Sequence, residues 1–117
     1  MAVAVYHEAR GENDLGKAYV AKVIKNRSEK LGFPNNFCDV IKQPGQFTFN
    51  PNKGVLDKNT YNEIYKISEQ VAYGSNQWDD IDDNVLYYHN KSVNPRWGKT
   101  VKLYKKVGNH VFYKRIS

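Results

Sequence analysis

Seven residues near the start of the 117-residue chain, Tyr6-His7-Glu8-Ala9-Arg10-Gly11-Glu12, form its densest polar cluster. Two carboxylates lie four positions apart with a guanidinium between them. On a helix that spacing puts Glu8 and Glu12 on one face and Arg10 roughly opposite. A carboxyl group in such a setting can do acid–base work. The residues before Glu8, Ala2-Val3-Ala4-Val5-Tyr6, are apolar enough to form a buried helix. A glutamate ending a buried helix is costly to hold unless it has a partner or a task. The alternative reading is a solvated helix end with no chemistry.

Other chemistries find less support. His7-Glu8 begins like His-Glu-x-x-His, but Gly11 stands where the second histidine would be needed. His7, His89 and His110 carry no ligand spacing, so a three-histidine metal hydrolase stays a minor alternative, and no metal or cofactor is implied. The lone Cys38 permits no intrachain disulfide and reads as a small buried hydrophobe. There is no Gly-x-Ser-x-Gly elbow and no phosphate loop.

The elements that must position the cluster read as α+β. A first helix is expected from Ala2 to about Glu12. Asn13 and Asp14 supply cap chemistry for a second, about Leu15 to Leu31, with Val20, Val23, Ile24, Arg27 and Leu31 as its apolar-periodic stripe. Gly32-Phe33-Pro34 stops it, and a short helix over Asn36–Lys42 follows. Thr60 and Glu63 fit a capping box for another long helix, with Tyr61, Ile64, Tyr65, Ser68, Val71 and Ala72 inward and Gly74 at its end. Val85-Leu86-Tyr87-Tyr88 is β-favourable. Val101–Val107 and His110–Tyr113 form a hairpin across Gly108-Asn109, with Val107 opposite His110 and Lys105 opposite Phe112.

Length allows one domain, residues 1–117, and excludes a barrel enzyme or a two-part dinucleotide fold. Apolar residues at 40% and aromatics at 14% can support a core, so this is no disordered basic tail. The longest apolar run is too short to span a membrane or to serve as a signal-peptide core. The net charge of +6 points to an anionic partner, and it is unevenly spread. Residues 84–117 hold eight bases and no acid, while residues 1–83 hold 10 bases and 12 acids. Aromatics run through the basic third (Tyr87, Tyr88, Trp97, Tyr104, Phe112, Tyr113). Such a surface suits nucleic acid, or equally a glycan in an anionic envelope.

A longer pattern bears on this choice. Glu8-Ala9-Arg10-Gly11-Glu12, then Gly16, then Val20-Ala21-Lys22-Val23-Ile24-Lys25-Asn26-Arg27, resembles the opening of the cell-wall hydrolases typified by the spore cortex-lytic enzyme SleB. The likeness continues through Phe33-Pro34, Cys38-Asp39-Val40-Ile41, Gln46-Phe47, Tyr88-His89-Asn90, Pro95-x-Trp97 and Gly108-Asn109-His110-Val111-Phe112-Tyr113. The resemblance implies a lysozyme-like α+β fold, mainly helical first with a small C-terminal antiparallel β-hairpin element. It implies cleavage of the peptidoglycan glycan strand by a lytic transglycosylase with Glu8 as the acid, and no cofactor. Gln46, Phe47, Tyr88, His89, Asn90 and Trp97 are then the candidate substrate-binding residues. Gln46 and Asn90 would bond N-acetyl or hydroxyl groups, and Tyr88 would stack on a pyranose face. Arg10, Glu12, Asn26, Arg27 and His110 are supporting residues. Arg10 is expected to point away from Glu8 toward a contact such as Glu12, Asn26-Arg27 to bond the end of the first helix, and His110 to anchor the hairpin.

An acid of this kind must keep its proton near neutral pH, which burial favours and a neighbouring cation opposes. A classical hydrolase needs a second carboxylate across the sugar, and Glu12, on the same side of the same helix, is badly placed for that. Hydrolytic cleavage and a non-enzymatic glycan- or nucleic-acid-binding module are the alternatives. The expected partner is peptidoglycan rather than nucleic acid or membrane, and the expected state a monomer. The site of action would be the bacterial cell wall. A chain starting seven residues before Glu8 without an export signal reads as a phage-type lysin released by lysis or carried by a phage, or as an excised domain. The basic third, Lys102, Lys105 and Lys106 included, would hold the anionic wall.

Overall fold

The computed structural model describes residues 1–30, 32–42, 57–74, 77–91 and 101–115. Four helices precede three strands: α1 (Ala2–Ala9), α2 (Asp14–Ser28), α3 (Phe37–Lys42), α4 (Lys58–Tyr73), β1 (Val85–Asn90), β2 (Val101–Val107) and β3 (His110–Arg115). The strands form one antiparallel sheet in the order β1-β3-β2. The α+β expectation holds, and the hairpin is enlarged because β1 pairs along the outer edge of β3.

Helix α1 ends three residues earlier than its apolar run suggested. Gly11 is a poor helix former, the Glu12 N–H turns back to the Ala9 carbonyl (2.9 Å), and Asn13 already caps α2 by accepting from the Gly16 N–H (2.8 Å). Glu8 and Glu12 therefore do not share a helix face. Helix α2 packs against α1, α3, α4 and β1, so every residue from Gly16 to Ile24 is buried. Its stripe of Val20, Val23, Ile24 and Arg27 lies inside as expected. It ends at Ser28, whose hydroxyl donates to the Lys25 carbonyl (2.6 Å). Leu31 lies outside the described residues.

Two further expectations need correction. The N-cap of α4 is Asp57, three residues before Thr60. Its carboxylate accepts from the Asn59 N–H (3.0 Å), the Thr60 N–H (3.3 Å) and the Thr60 hydroxyl (2.7 Å), so Thr60 serves the cap rather than being it. The inward face of α4 is Ile64, Ile67, Ser68 and Val71, with Tyr65 half-exposed beside Tyr61. Gly74 closes the helix with φ at +83°, as its sequence position implied. Cys38 is exposed rather than buried, because α3 turns only Val40 fully into the core.

The hairpin register is the expected one, Val107 opposite His110 and Lys105 opposite Phe112, with an irregularity between Leu103 and Lys105. On the other edge Tyr88 pairs with Phe112 and Asn90 with His110. Asn26-Arg27 was expected to bond the end of α1. It instead holds the start of β1, because the last turn of α2 runs past the incoming strand. Asn26 Nδ2 donates to the carbonyls of Asp82 and Val85 (both 3.0 Å), and Arg27 Nε donates to that of Leu86 (2.7 Å). Burial pulls the Arg27 guanidinium down to about 10, and it lies over the rings of Phe33 (5.3 Å) and Tyr87 (5.6 Å).

The hairpin turn is fixed by one glycine. Gly108 has φ at +57°, and a Cβ there would run into the carboxylate of Glu12. Gly11, by contrast, has no positive φ, and a Cβ there would meet nothing within 4 Å. We expect Gly108→Ala to lower unfolding free energy by about 1–3 kcal/mol in urea titration, and Gly11→Ala to stay within about 0.5 kcal/mol of wild type. Equal losses at the two positions would contradict this account of the turn.

Candidate active site

Val5, Tyr6 and Ala9 draw α1 into the core and leave Glu8 partly exposed in its last turn. Tyr88, from β1, sends its phenol to the Glu8 carboxyl and hydrogen-bonds it. The Tyr88 ring is itself fixed, stacked on Phe112 (5.5 Å, 29°) and edge-on to His110 (5.1 Å, 82°). Burial first, and then the charge of Glu8, push the Tyr88 phenol well above its ordinary value of 10, against the opposing pull of Arg27. The phenol thus keeps its proton at neutral pH and remains a donor.

Glu12 has a different fate. Its side chain is 8% exposed, and Oε1 accepts from the Asn109 N–H at 2.9 Å. His110 Nδ1 lies 3.2 Å from the same oxygen, close enough for electrostatic pairing but not aligned as a hydrogen bond. Desolvation lowers the pKa of His110 below its ordinary value, outweighing the pull of Glu12 in the opposite direction, with His89 a smaller lowering influence. Two carboxylates four residues apart are thus separated: one meets a phenol at the edge of the core, the other is tied to a backbone turn.

The remaining candidates divide. Arg10 is exposed, with its guanidinium over the Tyr6 ring (5.5 Å) and Nη1 3.5 Å from the Tyr6 hydroxyl. Its contact is therefore Tyr6 and not Glu12, because α1 stops before Glu12 can share its face. Tyr88 is beside Glu8 as a hydrogen-bonding group, with one face of its ring already stacked on Phe112. His89 does not join this group. Alternation along β1 sends it to the other face of the sheet, where Nε2 lies 3.0 Å from the Tyr113 hydroxyl and Nδ1 2.7 Å from the Asn90 carbonyl. Asn90 shares the face of Tyr88 and is exposed at the strand end. Gln46, Phe47 and Trp97 lie outside the described residues. Among the described residues no group of three His, Cys, Asp or Glu side chains is placed to hold a metal ion. No described helix is long and apolar enough to cross a membrane.

Sequence reasoning missed two contributors. Phe112 stood out only as one aromatic of the basic third, yet its ring holds that of Tyr88, whose phenol reaches Glu8. The Asn109 N–H holds Glu12, and a backbone donor leaves no side-chain signal beyond the Gly-Asn turn itself.

Residues 11–113 match the family described as Cell Wall Hydrolase. The spore cortex-lytic enzyme of Bacillus cereus is 38% identical over 117 residues, covering 97% of this chain and 42% of that protein. That of Bacillus subtilis is 33% identical over 113 residues, covering 96% and 35%. The chain thus spans less than half the length of these curated relatives. Among solved structures, the catalytic domain of the Bacillus cereus SleB protein matches with a TM-score of 0.70 at 33% identity, covering 97% of this chain and 86% of that one. The catalytic domain of the germination-specific lytic transglycosylase SleB from Bacillus anthracis matches with a TM-score of 0.69 at 36% identity, covering 97% and 90%.

The burial of His110 makes a prediction about pH. Its folded-state pKa is depressed, so the unfolded chain takes up a proton that the folded chain resists. The stability from the neutral ring is complete above the unfolded value, about 6.5, and is lost as pH falls below it toward the folded value. Melting temperature should therefore drop between pH 7.5 and about pH 5.5, and the drop should be shallower in His110→Gln. An identical slope in the variant would remove His110 as the cause.

Proposed function

Because the chain belongs to the cell wall hydrolase family, we propose that it cleaves the β-1,4 bond between N-acetylmuramic acid and N-acetylglucosamine in peptidoglycan, with Glu8 as the single acid and base. The observation that carries the assignment to Glu8 is its carboxyl, in the last turn of α1, hydrogen-bonded by the phenol of Tyr88.

The chemistry follows from having one such group. Protonated Glu8 gives its proton to the glycosidic oxygen, and the bond from muramic C1 to that oxygen breaks. The N-acetyl carbonyl of the same sugar stabilises the cation. The Glu8 carboxylate then takes the proton of the sugar's own 6-hydroxyl as that oxygen bonds to C1, giving a 1,6-anhydro end. If water takes the place of the 6-hydroxyl, the outcome is hydrolysis. All twelve Asp and Glu side chains of the chain fall within the described residues. Glu12 is bonded to the hairpin turn, and Asp57, whose N–H reaches Tyr6 of α1 (3.1 Å), is occupied as the cap of α4. With both engaged, a substrate-assisted route is favoured over one that uses Glu12 or Asp57 as a second carboxylate. Tyr88 acts as a positioning residue, fixing the carboxyl for both proton transfers.

On a zymogram of purified peptidoglycan, Glu8→Gln should abolish clearing while circular dichroism stays unchanged; full clearing would sink the assignment. In the wild-type digest, muropeptides lighter by one water than reducing-end products mark transglycosylation, and their absence marks hydrolysis.

Loss of one hydrogen bond to a charged group is worth about 1.5–3 kcal/mol. Tyr88→Phe should therefore lower kcat by about tenfold to a hundredfold with little change in KM. A variant that changes KM alone would make Tyr88 a substrate contact instead.

A further inference from the structure

The basic, aromatic last third of the chain is not used up by the site at Glu8. Side chains alternate across the sheet, so Tyr88, His110 and Phe112 face inward while His89, Val111 and Tyr113 lie on the outer face. Opening on that outer face is a groove of about 460 Å³, lined by His89, Lys91, Leu103, Lys106 and Tyr113 and reaching His110 past the hairpin turn, large enough for a sugar-sized ligand. Its floor is flat, with the His89 ring stacked on that of Tyr113 (5.4 Å, 28°). Leu103 is 52% exposed beside it. Lys91 and Lys106 are exposed at the rim, and among the described residues neither takes part in an ion pair, whereas Lys114 is bonded to Asp82. No carboxylate lines the groove.

We propose that this outer sheet face is a second, non-catalytic docking site for a carboxylate-bearing peptidoglycan strand. The sugar lies on the Tyr113–Leu103 floor, and Lys91 and Lys106 pair with carboxylates of the peptide stem. Charge complementarity argues for an anionic polymer. An aliphatic floor, and aromatic rings already stacked on one another, favour a glycan over nucleic acid, which needs open ring faces and a track of cations along its backbone. The proposal rests on the wall-cleaving reading above and assigns it a separate means of holding the wall.

The test is retention on insoluble sacculi, with Glu8→Gln protein as the non-digesting background and Lys91→Glu/Lys106→Glu added to it. The double reversal should weaken sacculus binding by about tenfold at low salt, less at high salt. In the wild-type background it should leave kcat/KM on short soluble glycan fragments within about twofold. Amidase-stripped glycan should bind both proteins equally. Unchanged sacculus affinity, or a loss that persists on stripped glycan, overturns the proposal. So does a variant that stops retaining duplex DNA while still binding sacculi. If the double reversal weakens sacculus binding but wild type never clears peptidoglycan, the docking face stands and the cleavage reading falls. If wild type clears and binding is indifferent to the reversal, the docking face falls alone.

Discussion

Glu12 lies 97 residues before the Asn109 N–H that its carboxylate accepts from, and this bond ties the α1–α2 corner to the tip of the hairpin. Burying an ionised carboxylate is costly unless donors meet it. Here the Asn109 backbone N–H does so, with the His110 imidazole 3.2 Å away but not aligned as a hydrogen bond. The contact also places demands on the backbone around it. Gly108 must lack a Cβ because the carboxylate fills that space, and Gly16 must lack one because the Glu12 Cβ would stand 2.9 Å from it. One buried glutamate thus accounts for two glycines distant in sequence. It also resists a slip of the hairpin, since a shift by one residue would remove its donor and turn every side chain to the wrong face.

A second tether works from the other side. Asn26 and Arg27, at the end of α2, meet three carbonyls at and just before the start of β1. Between this anchor and the Glu12 clamp, β1 and β3 are held against the helices, and Phe112 and His110 set the ring of Tyr88. The position of the phenol at Glu8 is therefore a consequence of packing far from the reacting atoms. Precision of this kind is what the proposed single-acid mechanism would need, because one carboxyl would serve two proton transfers in one orientation.

The charge pattern is also resolved by the fold. The acidic run before β1 is partly spent on internal pairs, Asp82 with Lys114 (2.6 Å) and Asp83 with Lys22 (2.8 Å), which hold both carboxyls below their ordinary range. These pairs join α2 and β3 to the segment between α4 and β1. Lys91, at the end of β1, and Lys106, on β2, stay exposed and take part in no ion pair among the described residues.

Much of the architecture was legible because its signals are local. The cap at Asn13, the stop at Gly74, the Gly108-Asn109 turn and the register of Val107 with His110 all follow from short-range chemistry that neighbouring residues carry. The apolar run that buries α1 and ends at Glu8 is likewise written in two turns of sequence. What failed locally failed where a distant partner or a stronger competitor intervened. Asp57 outcompeted Thr60 as a cap, and Ile67 took the inward place expected of Tyr65. The physical separation of the Glu8 and Glu12 carboxyls belongs to the tertiary structure. It depends on where α1 stops, on a turn nearly the whole chain away, and on a phenol delivered by a strand. None of these leaves a mark on the spacing of two glutamates.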